Sequence, residues 1–243
     1  MQVGTVAALW RYPVKSMQGE PLQHARIGPD GIPGDRGIAV VDARTGRVLS
    51  GKSVQTLLAA RAIARPGGPV VVLPDGRCVS VGMPEADEVV SAWLGRPVHL
   101  RPPGEDRPAI EGEDGPFAGR AGSYFDAAPI HLVTTATLAH LSRLYPDGAF
   151  DPRRFRANIV LDVDGDGPAE RAWLDRRLVL DGVDLVVTGE CTRCVMTTAA
   201  QADLPRDRGI LGTIARDQDN VAGGYARAVE PGVVTVGDRV LLA

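Results

Sequence analysis

Residues 185–198 read Leu185-Val186-Val187-Thr188-Gly189-Glu190-Cys191-Thr192-Arg193-Cys194-Val195-Met196-Thr197-Thr198. An apolar run enters a pair of thiols with a single arginine between them. A cationic neighbour favours the thiolate form of a cysteine, the form that binds soft metals and attacks electrophiles. Two small core residues at a strand end are an equally good reading of an isolated pair. A thioredoxin-like redox pair would open a helix, whereas 194–198 predicts a continuing strand, so dithiol redox chemistry loses ground here.

Outward from that stretch, the 29 glycines and 19 prolines are spread along 243 residues with short Val, Leu and Ile runs between them. Such punctuation suits many short strands joined by turns. Strands are expected at 3–12, 22–27, 37–41, 47–49, 70–73, 78–81 and 98–101. In the second half they are expected at 130–134, 158–162, 178–180, 185–187, 194–198, 210–215, 224–228, 233–236 and 239–242. The Ala/Leu-rich stretch 54–64, behind Ser53 as N-cap, predicts a helix. So does 84–94, with Pro84 first, acidic residues in the first turn and Gly95 after the end. A third is expected at 135–144, where Leu138, Leu141 and Leu144 keep helical spacing.

Residues 102–122 are rich in Pro, Gly and acidic side chains without apolar periodicity, and are expected to be a linker or long loop. The strand–helix alternation is too irregular for a doubly wound sheet. The fold expected is mainly β with some helices (α+β): two β-barrel-like domains, 1–101 and 123–243.

Composition narrows the function classes. Lys plus Arg number 27 against 30 Asp plus Glu, a net charge of -3, which argues against a nucleic-acid coat. Aromatics at 5% are too few for a base-stacking platform. No apolar run approaches the roughly 20 residues of a membrane helix, so no membrane partner is expected. Three cysteines, 78, 191 and 194, are odd in number and sparse, which predicts a reduced, cytoplasmic setting.

Several basic motifs sit beside turns. Tyr12-Pro13-Val14-Lys15-Ser16 follows the first strand, and Gly34-Asp35-Arg36-Gly37 precedes another. If the two strands are neighbours, Lys15, Ser16 and Arg36 converge on an anion such as a phosphate, with Lys as a point charge and Arg as a fork. Exposed cations at turns are the competing reading. Arg153-Arg154-Phe155-Arg156-Ala157-Asn158-Ile159 is a third cluster, in which Asn158 needs a partner if buried and could meet a heterocycle edge. A surface arginine pair and a turn-forming asparagine fit it equally well.

A structural zinc site needs about four ligands, and the thiol pair has no second cluster to join. His24, His99, His131 and His140 are scattered without ligand spacing. No further thiols could hold an iron–sulfur centre. There is no GxSxG, Walker loop or GxGxxG behind a strand, and nothing supports a pyridoxal phosphate site.

Taken in order, Tyr12-Pro-Val-Lys-Ser16, Gly34-Asp-Arg36, Phe155-Arg-Ala-Asn-Ile159, Cys191-Thr-Arg-Cys194 with Thr197-Thr198, and Val236-Gly-Asp238 resemble the MOSC family, named for the C-terminal domain of molybdenum cofactor sulfurases. Each motif alone is weak; five in the family's order are specific. The resemblance implies an N-terminal β-barrel domain, a MOSC barrel and a pyranopterin-molybdenum cofactor (molybdopterin) in a cleft between them. By that resemblance Cys194 is the catalytic thiol and the metal ligand. Lys15, Ser16 and Arg36 match the phosphate-holding positions, and Arg156 and Asn158 match positions near the pterin. Arg193 is expected beside the ligand sulfur, adding positive charge behind it. The chain departs from the family pattern at Ala157, where a proline is usual, and at Ala199-Ala200-Gln201, where reductases of the family carry Val-Asp-Pro.

The function implied is a metal-binding oxidoreductase that reduces N-hydroxylated small molecules with electrons from a separate reductase. The alternative is a sulfur carrier or cofactor-handling protein with a persulfide on Cys194. A β-barrel module that has lost the cofactor is the third possibility.

Overall fold

The structure is a computed structural model that describes residues 1–104, 109–113 and 123–243. Most of the expected 102–122 connection lies outside the described residues. In chain order the first elements are β1 (Gln2–Arg11), β2 (Glu20–Leu22), β3 (His24–Ile27), β4 (Ala39–Asp42), β5 (Arg61–Ile63), β6 (Val70–Val72), β7 (Cys78–Ser80), helix α1 (Pro84–Leu94) and β8 (Val98–Arg101). The remainder are β9 (Ile130–Thr134), α2 (Thr135–Leu144), α3 (Pro152–Phe155), β10 (Ile159–Asp162), β11 (Arg177–Leu180), β12 (Val183–Thr192), α4 (Arg208–Gln218), β13 (Val221–Glu230), β14 (Gly232–Thr235) and β15 (Arg239–Leu242).

Seven strands close a barrel in the order β10-β9-β13-β12-β11-β15-β1, with β1 pairing antiparallel to β10 to complete the ring. Closure removes free sheet edges and turns alternate side chains into one core. Val6, Leu9, Leu132, Ile159, Leu161, Leu178, Leu185, Val187 and Val240 all belong to that core. Strand β1, from the start of the chain, is therefore a barrel stave beside β10 and β15, and β3 pairs with β14. Outside the barrel, α2 and α4 pack with Phe150, Phe155 and Val160 in a second apolar cluster.

The N-terminal half builds its own cluster from the β4–β8 pair, the β5-β6-β7 sheet and α1, centred on Val40, Leu49, Leu57, Val71, Val90 and Leu100. Helix α1 starts at Pro84 and stops at Gly95 in the left-handed conformation, φ 68°, as its sequence signals require.

Three local expectations are corrected. Residues 54–64 form a 3-10 turn, Gln55–Ala59, and then β5, because Ala60 is extended and Arg61–Ile63 pairs with β6; tertiary pairing overrides helix propensity. Residues 210–215 lie within α4 rather than a strand. Ile210 and Ile214 are both buried one helical turn apart, and Asp207 caps the helix by accepting from the Gly209 N–H. Residues 194–198 do not continue β12: Val195–Thr198 is a 3-10 turn with Cys194 at its N-cap, and the Thr197 N–H and hydroxyl both donate to the Cys194 carbonyl.

Candidate functional site

Strand β12 shows how the thiols are placed. Its inward positions recur every second residue, with Val183, Leu185, Val187 and Cys191 buried and Thr188, Glu190 and Thr192 exposed. Register breaks between Val187 and Gly189 and between Glu190 and Thr192 bend the strand's end. Cys191 thus points inward at the barrel rim, and the turn that follows leaves Cys194 half-buried at the mouth of a cleft.

That cleft encloses roughly 760 Å³ of space, its open mouth included, between the rim and the loops of the N-terminal half. Lys15, Ser16, Arg36, Lys52, Arg154, Arg156, Arg193, both thiols, His131, Tyr225 and the carboxylates Glu113 and Asp126 line it. Of the residues expected to form a site, only Asn158 does not line the cleft. Its side-chain oxygen accepts from the His131 N–H at 3.1 Å and from Arg36 Nη1 at 3.4 Å, and its Nδ2 donates to the Trp10 carbonyl at 3.3 Å. It acts on the cleft through Arg36.

The expected convergence of Lys15, Ser16 and Arg36 is present because the Val14 and Ile38 backbones bridge in parallel, with the Lys15 N–H donating to the Ile38 carbonyl. Lys15 is buried; its Nζ donates to Asp126 Oδ1 at 2.5 Å and to the Tyr124 carbonyl at 3.0 Å. Burial pulls its pKa down, and the Asp126 carboxylate opposes that. The Ser16 hydroxyl accepts from the Gly51 N–H at 2.9 Å. Gly51 itself lies against the Met196 side chain, so this loop and the turn after Cys194 are in contact. Arg36 pairs with Asp35, and its Nη2 donates to the Arg156 carbonyl at 3.0 Å.

Arg156 is the left-handed C-cap of α3, φ 57°, and its buried Nη1 donates to the Met17 carbonyl at 2.6 Å. Burial, reinforced by Arg36, brings its guanidinium down to about 10, still cationic at neutral pH. Lys52 pairs with Glu113 at 2.6 Å; burial works against its charge, but the Glu113 and Asp126 carboxylates lead the opposing effects and its pKa is raised. Arg193 lines the cleft, yet its hydrogen bonds run to Cys191 Sγ at 2.7 Å and the Phe155 carbonyl at 2.7 Å, and none to Cys194 is present among the described residues.

Four participants were not singled out by the sequence. His131 and Tyr225 are cross-strand partners on β9 and β13 with ring centroids 5.8 Å apart. Asp126 holds Lys15. Arg154, only 1% exposed, donates to the carbonyls of Ala149, Thr197, Ala199 and Pro205 and so ties down the segment behind Cys194. The sequence carries no local signal for the first three; the double arginine of α3 was the only hint for the fourth.

A closed barrel with a two-thiol rim and a cationic cleft beneath N-terminal loops matches one class. The MOSC domain matches residues 113–241 and the MOSC N-terminal beta barrel domain matches 3–93; the chain belongs to the MOSC family. Among curated relatives, Mitochondrial amidoxime-reducing component 1 from Homo sapiens and from Mus musculus are each 26% identical to this chain, covering 99% of it and 83% of theirs. The crystal structure of the YUAD protein from Bacillus subtilis shares the fold, with a TM-score of 0.54 at 12% identity, covering 98% of this chain and 94% of that one.

Proposed function

We propose that this chain binds a molybdenum–pterin cofactor in the cleft and reduces N-hydroxylated small molecules with electrons delivered by a separate reductase. The observation that carries this reading is the donor set: six cationic side chains and a half-buried thiol share one cleft with two carboxylates. Such a set suits a phosphate-bearing anion that also needs a soft ligand. Arg193 Nε is buried and has no partner among the described residues, an orphan donor that an anionic occupant would satisfy. The similarity to the two amidoxime-reducing components supports the choice of substrate class.

In this proposal the chain divides into residues 1–101 and 123–243 about the 102–122 connection, with β1 and β3 of the first part pairing with strands of the second. Cys194 is the metal ligand. Lys15, Arg36 and the Ser16 hydroxyl, whose oxygen already accepts from Gly51, hold the phosphate, and Arg156 faces the ring system. Asn158 positions Arg36 and the His131 backbone rather than touching the ligand. When bound, the cofactor supplies the two-electron redox couple for R–NH–OH + 2e⁻ + 2H⁺ → R–NH₂ + H₂O. The protein orients the group, keeps its anionic end among fixed cations and leaves the Cys194 side open to substrate. Ala200, exposed where reductases of the family carry an aspartate, removes a carboxylate from the turn after Cys194. A small-molecule substrate and the reductase are the partners; three unpaired thiols suit a reducing cytoplasm. No helix among the described residues is long and apolar enough to cross a membrane.

The test is turnover of an aryl amidoxime by anaerobically purified protein with a reduced viologen as donor. Amidine formation that disappears in Cys194→Ser supports the proposal. Full loading with cofactor but no amidine would sink the substrate assignment, and an added sulfur on Cys194 by mass spectrometry would favour sulfur carriage instead.

A further inference from the structure

The first cysteine of the pair, its neighbour Arg193 and two ring residues form one network in the cleft wall. Cys191 is 2% exposed, and its sulfur accepts from Arg193 Nη1 at 2.7 Å. The same Arg193 nitrogen lies 3.4 Å from His131 Nε2, while Nη2 donates to the Phe155 carbonyl. The guanidinium also sits 5.4 Å from the Phe155 ring centroid, and the Arg193 backbone is clamped both ways by Asn220. His131 is buried; burial, then Arg193 and Arg36, keep its imidazole neutral, so its ring can accept from Arg193 without opposing the guanidinium's charge. Gly223 permits this arrangement: a Cβ there would lie 2.5 Å from His131 Nε2.

We propose that Cys191 is a positioning residue whose sulfur anchors the Arg193 guanidinium in the cleft wall behind the Cys194 turn. The two thiols then divide their work. Cys194 is open to a ligand, whereas Cys191 is occupied by a guanidinium and takes no part in metal binding or disulfide exchange. His131 and the Phe155 carbonyl fix the fork from its other sides, and Nε and the second N–H of Nη2 are left without a partner among the described residues. A freely rotating arginine would lose side-chain entropy each time it met an anion; one already pinned does not.

The anchoring can be tested on cofactor-free protein, and its consequence rests on the cofactor reading above. Iodoacetamide labelling with peptide mass spectrometry should modify Cys78 and Cys194 in the folded wild type and spare Cys191. In Arg193→Gln, Cys191 labelling should rise by about tenfold or more. Cys191 labelled as fast as Cys194 in the wild type would overturn the inference, as would full protection persisting in Arg193→Gln. In loaded protein, Cys191→Ser, which keeps an acceptor, should retain molybdenum within about twofold of wild type. Cys191→Val, of similar volume without an acceptor, should lose most of it at an unchanged melting temperature. Equal retention in the two variants contradicts the positioning role. If the wild type carries no molybdenum the cofactor reading falls, and the labelling pattern still decides the anchoring.

Discussion

The Arg156 guanidinium lies 4.4 Å from the centroid of the Tyr12 ring, and Arg36 lies 5.0 Å from the same centroid. One buried aromatic ring therefore holds two cations that would otherwise repel one another. Each such contact contributes roughly 0.5–2 kcal/mol when desolvated. Burial pushes the Tyr12 hydroxyl up to about 12, so the ring stays neutral beside them. Tyr12→Leu should cost about 2 kcal/mol of stability and weaken stabilisation by phosphate. Tyr12→Phe should be close to wild type, since the hydroxyl makes only a 3.4 Å contact to the Ala157 carbonyl. Urea titrations with and without inorganic phosphate measure both.

Arg154 satisfies four backbone carbonyls from a position with almost no exposure. Arg154→Met keeps the volume but strands the Thr197, Ala199 and Pro205 acceptors, at roughly 3 kcal/mol. Arg154→Lys should recover only part, because an ammonium cannot reproduce the fork. Proteolysis within 197–205 should be faster in both variants; a rate equal to wild type would contradict the proposed anchoring of this segment.

Gly223 has φ 97° and has no room for a Cβ beside His131 and the Leu132 carbonyl, 2.7 Å away. Gly223→Ala should destabilise by about 2 kcal/mol or more. The damage should be local to the rim, with a shifted His131 ring resonance by NMR.

How much of this was legible follows from range. Barrel staves such as β12 declare themselves by short apolar runs, here Leu185–Val187, whereas the alternation of burial that aims Cys191 inward emerges only from the strand's full length, Val183–Thr192. Helix α4 was hidden because Ile210, Thr213 and Ile214 are β-branched residues whose helical spacing resembles a short apolar strand. The 3-10 turn after Cys194 was hidden because Val195 and the threonines favour strands, while hydrogen bonds to the Cys194 carbonyl and the distant Arg154 decide otherwise. Lys15, Ser16, Arg36 and Arg156 sit in motifs and could be named. His131, Tyr225 and Asp126 sit in no motif, and only barrel closure brings them to the cleft.

Outside the cleft lining, His140 bridges α2 to α4, with Nε2 2.9 Å from Asp217 and Nδ1 3.0 Å from Asp166. Both carboxylates raise its pKa above the usual histidine value, the Asp217 hydrogen bond first. A raised folded-state pKa stabilises fully below the unfolded value of about 6.5, and the contribution is lost as pH climbs through the folded value. The pair is largely exposed, so the effect is small and screened by salt. The urea midpoint difference between wild type and His140→Asn should be larger at pH 6 than at pH 8.5; a pH-independent difference would contradict the assignment.

The central claim is that Cys194 holds a molybdenum–pterin group among the cleft's cations. Its most direct measurement is molybdenum and pterin content per chain in protein purified anaerobically from a host that makes the cofactor. The account predicts close to one of each in wild type, molybdenum lost in Cys194→Ser with the fold intact, and both lost in Arg36→Ala. Wild-type protein free of molybdenum and pterin, or Cys194→Ser fully loaded with metal, would contradict it.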